Sequence, residues 1–202
     1  MKSNRFAQVI SILIIVFTVY YSFSSLMPSF KNEKALNEHE FSNTKALAHL
    51  KKISEKPHYT GSDEHTVVRN YLAQELAKLN LTVEIQEQVA VNKKWRAATN
   101  TKNILARIKG TEEGKALLLL SHYDSNPHSS LGASDAGSGV VVILEGIRAF
   151  LEKNPTPKND IIICIYGFRF YPKFPIPNLH LLHGVLSKTH QMRRSKRYLC
   201  LL

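Results

Sequence analysis

The chain is poor in cysteine, and it has no acidic residue at all after Asp160. Its two cysteines, Cys164 and Cys200, form no CxxC pair and share no metal-ligand spacing with a histidine. A disulfide framework is therefore not what organises this protein. Residues 161–202 carry seven Lys or Arg and no acid, whereas the residues before them hold 20 basic and 16 acidic side chains. The net charge of +11 is thus concentrated in a tail, and the body is only mildly basic. That removes the argument for nucleic acid as its partner. There is no internal repeat, no GxGxxG fingerprint and no P-loop lysine. With 44% hydrophobic and 21% charged residues, the composition excludes a disordered or fibrous chain.

What is present begins with an apolar segment. Residues 6–30 contain no charged side chain, enough for one spanning helix. Lys2 and Arg5 precede it, which places the N-terminus in the cytoplasm, although Lys31 and Lys34 beyond it weaken that orientation. A cleaved signal peptide is the rival reading, but the run is long for one and SFSSLMPSF is a poor cleavage site. Residues 1–30 are read as a cytoplasmic start and signal-anchor, and 31–44 as a linker.

The body alternates helices and strands. Ala46, Leu47, Leu50 and Ile53 share a helical face within residues 32–56, and Pro57 ends that helix. Thr66–Leu79 is a second amphipathic helix. Leu81–Val91 and Lys102–Ile108 read as strands, with a turn at Gly110–Gly114. KALLLLS (115–121) and DIIICI (160–165) are short apolar runs suited to strands buried on both faces. Between them lie a loop, Ser121–Ser138, and a helix, roughly Gly139–Lys153. This is a βαβ unit, and it predicts an α/β fold: a mixed, largely parallel sheet with helices on both faces.

The chemistry concentrates in SHYDSNPHSSLGASDAGSGV, residues 121–140. His122 and Asp124 follow the C-terminal end of a buried strand, the edge at which open α/β sheets bind ligands. Their i, i+2 spacing puts both side chains on one side of an extended chain. A carboxylate there can hold one imidazole nitrogen and leave the other for a metal. Asp135 stands at a loop-to-helix junction beside Gly137 and Gly139, and imidazole with carboxylate suits zinc. Taken singly, each piece has a plainer reading. An HxD is commonly a surface histidine near an acid, and Asp135 could be a helix N-cap. His128 reads as a solvent-exposed loop residue.

Together these residues resemble the metal core of the family-28 metallopeptidases, the di-zinc aminopeptidases, and most of all their membrane-bound, vacuolar branch. The likeness rests on His122-Tyr123-Asp124 and on Gly132-Ala133-Ser134-Asp135-Ala136-Gly137-Ser138-Gly139. KPHYTGSDEH and TPKNDIIICI add to it, and it covers about residues 45–165. It implies a zinc-dependent exopeptidase with two zinc ions per complete site. His122 would be a terminal ligand, Asp135 the ligand bridging both ions, and Asp124 the residue that orients His122. It also implies a peptide substrate, attachment to a membrane through the N-terminal helix, and a peptidase domain on the non-cytoplasmic side (vacuolar, lumenal or periplasmic).

The pattern breaks after DIIICI. The family follows this strand with Thr/Ser-Asp-x-Glu-Glu, one Glu being the general base and the next a zinc ligand. Here YGFRFYPKFPIPNLH follows, and no general base remains. His180, His183 and His190 lie in the basic tail without the family's flanking residues. The expectation is that 45–165 is the N-terminal half of a peptidase domain and that 166–202 is not native to it. One codon choice for Tyr166-Gly167-Phe168, TAC GGA TTC, read one base later begins Thr-Asp-Ser. The expected chain is inactive, with an apolar sheet edge that invites aggregation or proteolysis. The competing readings are a non-catalytic membrane-anchored remnant or binding module, and a tail that serves as a basic arm.

Overall fold

The apolar N-terminal segment winds into helix α1 (Arg5–Leu26), none of whose residues is buried. A computed structural model describes residues 5–27, 37–92, 97–112, 114–128, 130–153, 156–168 and 198–201. The chain divides into two units, Met1–Ala35 and Leu36–Leu202. α1 is long and apolar enough to cross a membrane. Its 22 residues rise about 33 Å, close to the thickness of a bilayer's hydrocarbon core. Its hydroxyls turn back on the helix: Ser11 donates to the Ala7 carbonyl at 2.9 Å and Thr18 to that of Ile14 at 2.8 Å. Each of these hydroxyls is thereby satisfied inside the segment, as an apolar solvent requires.

The second unit is an α/β layer structure. In chain order it runs α2 (Asn43–Ile53), α3 (Asp63–Lys78), β1 (Val83–Asn92), β2 (Ala97–Ile108), β3 (Ala116–His122), α4 (Ser138–Glu152), β4 (Ile161–Tyr166) and β5 (Tyr198–Leu201). The sheet order is β1-β2-β4-β3-β5. β1–β2 and β2–β4 are antiparallel, while β3–β4 and β3–β5 are parallel, so the sheet is mixed.

The period of two along β2, β3 and β4 sorts the core into two clusters. Ile104, Ala106, Ile108, Ile161, Ile163 and Ile165 face Val68, Leu72 and Leu76 of α3 and Val140, Val141, Leu144 and Ile147 of α4. The alternate residues Leu105, Ala116, Leu118, Ile162 and Cys164 form the second cluster. Both faces of these strands are buried, as their unbroken apolar runs predict. Cys164 is a free thiol in the second cluster, and burial raises its pKa to about 12, so it is inert.

Several boundaries differ from the sequence reading. α3 starts three residues earlier than Thr66, because Ser62 caps it by accepting the His65 N–H at 3.2 Å. α2 stops at Ile53, before Pro57, with the Ser54 N–H and hydroxyl both returned to the Leu50 carbonyl. β2 begins at Ala97, five residues before Lys102, because it pairs in register with β1 from Asn92↔Ala97 onward. The tail, which has no strand pattern of its own, contributes β5 along the outer edge of β3.

One polar knot lies outside the sheet. The Glu145 side chain of α4 is fully buried. It accepts the Ser42 N–H at 2.9 Å and two guanidinium donors of Arg148 at 2.7 and 2.8 Å. Arg148 in turn donates to the Glu38 and Glu40 carbonyls. Burial alone would raise the Glu145 pKa; Arg148 and the Ser42 amide overcome it and hold the carboxyl below its usual range. Residues 38–42 are thus strapped to α4.

Candidate metal centre

β3 carries the chain to the C-terminal edge of the sheet and ends on His122, which pairs with Tyr166 of β4. Two residues on, Asp124 returns to the same side. Its Oδ1 lies 3.1 Å and its carbonyl oxygen 3.2 Å from His122 Nδ1. Both partners accept, so Nδ1 carries a proton and Nε2 is the nitrogen turned toward the site. His122 and Asp124 are both buried.

Asp135 arrives from the other direction. The wide turn Ala133–Gly137 is closed by the Gly137 N–H donating to the Gly132 carbonyl at 2.8 Å, and α4 begins directly after it. Asp135 has extended rather than helical backbone angles, φ −124° and ψ 95°, and the Asp135–Ala136 peptide is cis. Its Oδ1 stands 3.0 Å from His122 Nε2, and its side chain is 49% exposed. The imidazole is therefore gripped between one buried carboxylate and one open to solvent. Burial pulls the His122 pKa down, but hydrogen bonds and charge from Asp124 and then Asp135 outweigh it, and the net shift is upward. When protonated, the ring can donate to a carboxylate from each nitrogen.

A divalent ion would replace the outer proton. Two ligands of a tetrahedral zinc, with bonds of about 2.0–2.1 Å, stand about 3.3 Å apart. The observed 3.0 Å is close to that, and one exposed carboxylate oxygen facing one imidazole nitrogen is a sound donor pair for zinc. The pair makes only part of a centre, since zinc takes three or four protein ligands. Among the described residues no three His, Cys, Asp or Glu side chains come together to hold an ion. His128 lies exposed in the loop between the two donors, its N–H bonded to Asn126 Oδ1 at 2.9 Å. His180, His183 and His190 lie outside the described residues.

Residues 103–167 match Peptidase family M28. The match opens in β2, takes in the whole His122–Asp135 constellation and stops one residue past β4. A vacuolar membrane protease of Candida tropicalis is 32% identical over 167 residues, covering 75% of this chain and 18% of that protein. The chain spans less than a fifth of the length of the curated relatives it matches. Among solved structures, the glutaminyl cyclase of Porphyromonas gingivalis superposes with a TM-score of 0.58 at 25% identity, over 67% of this chain and 49% of that one. A Zn-dependent exopeptidase from Parabacteroides distasonis superposes with a TM-score of 0.52 at 22% identity, over 69% and 52%, a likeness of fold. The likeness read from the residues holds: the chain is similar to M28 metallopeptidases, and among named relatives to vacuolar membrane proteases.

Sequence reasoning missed a second set of residues beside the M28 core. His58, in the loop before α3, is 1% exposed, and His65 on the first turn of α3 is 5% exposed. His65 stacks on Tyr123 with ring centroids 4.5 Å apart and planes 18° apart. Burial lowers its pKa, against the opposing pull of the Gly167 carbonyl and Asp124. Tyr123, between the two site residues, donates to the Lys102 carbonyl at 2.9 Å, and burial shifts its pKa the other way, upward. Only the presence of two histidines in KPHYTGSDEH signalled them, and nothing in local periodicity marks a histidine as buried.

Proposed function

We propose that residues 45–165 are the N-terminal half of a zinc-dependent peptidase domain of the aminopeptidase type. It is directed at N-terminal peptide bonds, lies on the non-cytoplasmic side of a membrane and is anchored there by α1. On this reading His122 and Asp135 would hold zinc, Asp135 being the carboxylate that two ions could share, and Asp124 would orient the imidazole. The observation that carries this reading is the His122 ring held by Asp124 on one nitrogen and faced by Asp135 at 3.0 Å on the other, at the ligand-binding edge of the sheet. The M28 match over the same residues supports it. Bound zinc would polarise a peptide carbonyl and acidify a water; the side chains here hold and orient it. No nucleic acid is expected as a partner.

The 202 residues as they stand do not hydrolyse peptides on this reading. A proton acceptor for the attacking water is required, and no carboxylate follows β4. The family match ends at residue 167, seven residues after the last acid, Asp160, which supports placing the boundary of the native domain near there. The coding DNA tests that boundary: a Glu-Glu pair in a shifted frame after Ile165 is the expected finding, and its absence from every frame contradicts it. Function is tested on the purified full chain by assaying an aminoacyl fluorogenic substrate and zinc content on one sample. The expected outcome is weak zinc binding, lost in His122→Ala, without turnover. Turnover with two zinc ions per chain overturns the inactivity, and zinc binding indifferent to His122→Ala overturns the site. The alternative, a non-catalytic membrane-anchored remnant with a basic arm, is favoured by salt-sensitive binding of the chain to anionic vesicles without any zinc requirement.

A further inference from the structure

The loop from His58 to His65 touches neither His122 nor Asp135 in any hydrogen bond described above, yet it is bonded at both ends to the segments that border them. At its first end, the His58 N–H donates to Ser125 Oγ at 2.8 Å and the Ser125 N–H donates to the His58 carbonyl at 3.3 Å. This reciprocal pair fastens the residue directly after Asp124. The His58 ring is itself fixed, its Nδ1 standing 3.0 Å from the Lys56 carbonyl. It lies against Gly132, whose φ of +73° suits glycine, and a Cβ there would come within 3.0 Å of both His58 Cε1 and Ser125 Cβ. Gly132 in turn supplies the carbonyl that closes the Asp135 turn.

At its other end the loop holds Gly167, the residue directly after β4. Thr60 Oγ1 and His65 Nε2 each lie 2.9 Å from the Gly167 carbonyl, and the Gly167 N–H donates to Asn103 Oδ1 at 3.2 Å. A Cβ at Gly167 would fall 2.5 Å from the Lys102 carbonyl and 2.7 Å from the Tyr123 hydroxyl. Two loop side chains thus converge on the Gly167 carbonyl while Asn103 of β2 holds its N–H.

We propose that the His58–His65 loop is a positioning clamp, with His58 as its main positioning residue. It sets the Asp135 turn relative to His122 through Ser125 and Gly132, and sets the exit of β4 through Gly167. The proposal rests on the zinc-site reading for its purpose but not for its test. Its action is indirect: the loop supplies no ligand and fixes where the Asp135 carboxylate stands before any ion arrives. Pre-organising a donor pair in this way lowers what a metal must spend to order it.

The experiment is amide hydrogen exchange on the full chain at neutral pH, together with the ¹⁵N signals of the His122 imidazole. In the wild type the Ser125, Gly137 and Gly167 amides are expected to be protected like those of β4. Exchange as fast as at exposed His128 overturns the clamp without any variant being needed. Ser125→Ala removes the acceptor of the His58 N–H and is expected to speed Gly137 exchange roughly tenfold. It should also move the His122 Nε2 signal, with β2 and β4 core amides unchanged, and Ser125→Thr should restore both. Should Ser125→Ala fail to fold, Thr60→Val at the far anchor reads the same coupling: faster exchange at Gly167 and also at Ser125. A uniform rise across the core, or a change at the mutated end alone, overturns the proposal in favour of an ordinary structural loop. Loss of zinc binding with the clamp signals intact is instead a failure of the site reading.

Discussion

Strands β3 and β4 lie side by side and parallel, and their interiors are nearly interchangeable, yet their ends differ completely. Each is a short aliphatic run buried on both faces, and Leu117–His122 pairs in register with Ile161–Tyr166. β3 ends in an imidazole between two carboxylates. β4 ends on Tyr166, Gly167 follows it, and the residues beyond carry no acid. Apolar strands make the platform, and the few residues after each strand decide what the platform does. In this chain the β3 exit brings an imidazole and two carboxylates together, while the residues after β4 hold no carboxylate to match them.

The largest loss is expected in the platform that the two strands share. Ile163 is completely buried at the centre of β4, and Ile163→Ala should cost about 2–5 kcal/mol by chemical denaturation. It should loosen both strand ends together; loss at one end only would show that the strands are not one cooperative unit. Gly167→Ala comes next, because its Cβ meets a backbone carbonyl rather than a mobile side chain. A cost of about 1–3 kcal/mol is expected in the same melt. At the β3 exit the effect moves from folding to metal. Asp124→Asn should leave the melt nearly unchanged while lowering zinc affinity roughly 10–100-fold in a calorimetric titration. A matching loss of stability would make Asp124 a structural residue.

The smallest effect is in pH, and it separates the two buried histidines by sign. The folded-state pKa of His122 is raised, so the stability it contributes is complete below about pH 6.5 and fades as pH rises through the folded value. That of His65 is lowered, so its neutral form is favoured in the fold. Stability is lost as pH falls below about 6.5 toward that lower folded value. In metal-free protein, His122→Gln should flatten the neutral-to-alkaline limb of a stability–pH curve and His65→Gln the acid limb. Both limbs flattened by one substitution would mean that the two rings titrate as one system.

How much of this is legible in the sequence depends on whether the signal is local. The aliphatic runs at 115–121 and 160–165 announce buried strands because nothing else suits eight or fewer apolar residues between turns. The two-residue spacing of His122 and Asp124 is enough by itself to put them on a common side. The start of α3 escapes a sequence reading because Ser62, Asp63 and Glu64 look like turn residues until the Ser62 hydroxyl is seen to cap His65. The first half of β2, AATNT, has no alternation of its own and becomes a strand only because β1 lies beside it. His58, Ser125 and Gly167 are invisible for a deeper reason: they lie far apart in the chain and gain their meaning only from contact. The apolar helix α1 is the easiest reading, since uniform apolarity is the whole of its message.

The strap formed by Glu145 and Arg148 has a mechanical consequence. Tension arriving from the N-terminal side does not peel α2 away turn by turn. It meets two carbonyls and one amide of residues 38–42 pinned to α4, and they share the load in shear, so the force passes into the helix that springs from the Asp135 turn. Pulling from the N-terminal side should therefore load this fastening before the sheet unravels, and a single-molecule stretching trace should show a first small rupture there, ahead of the main event.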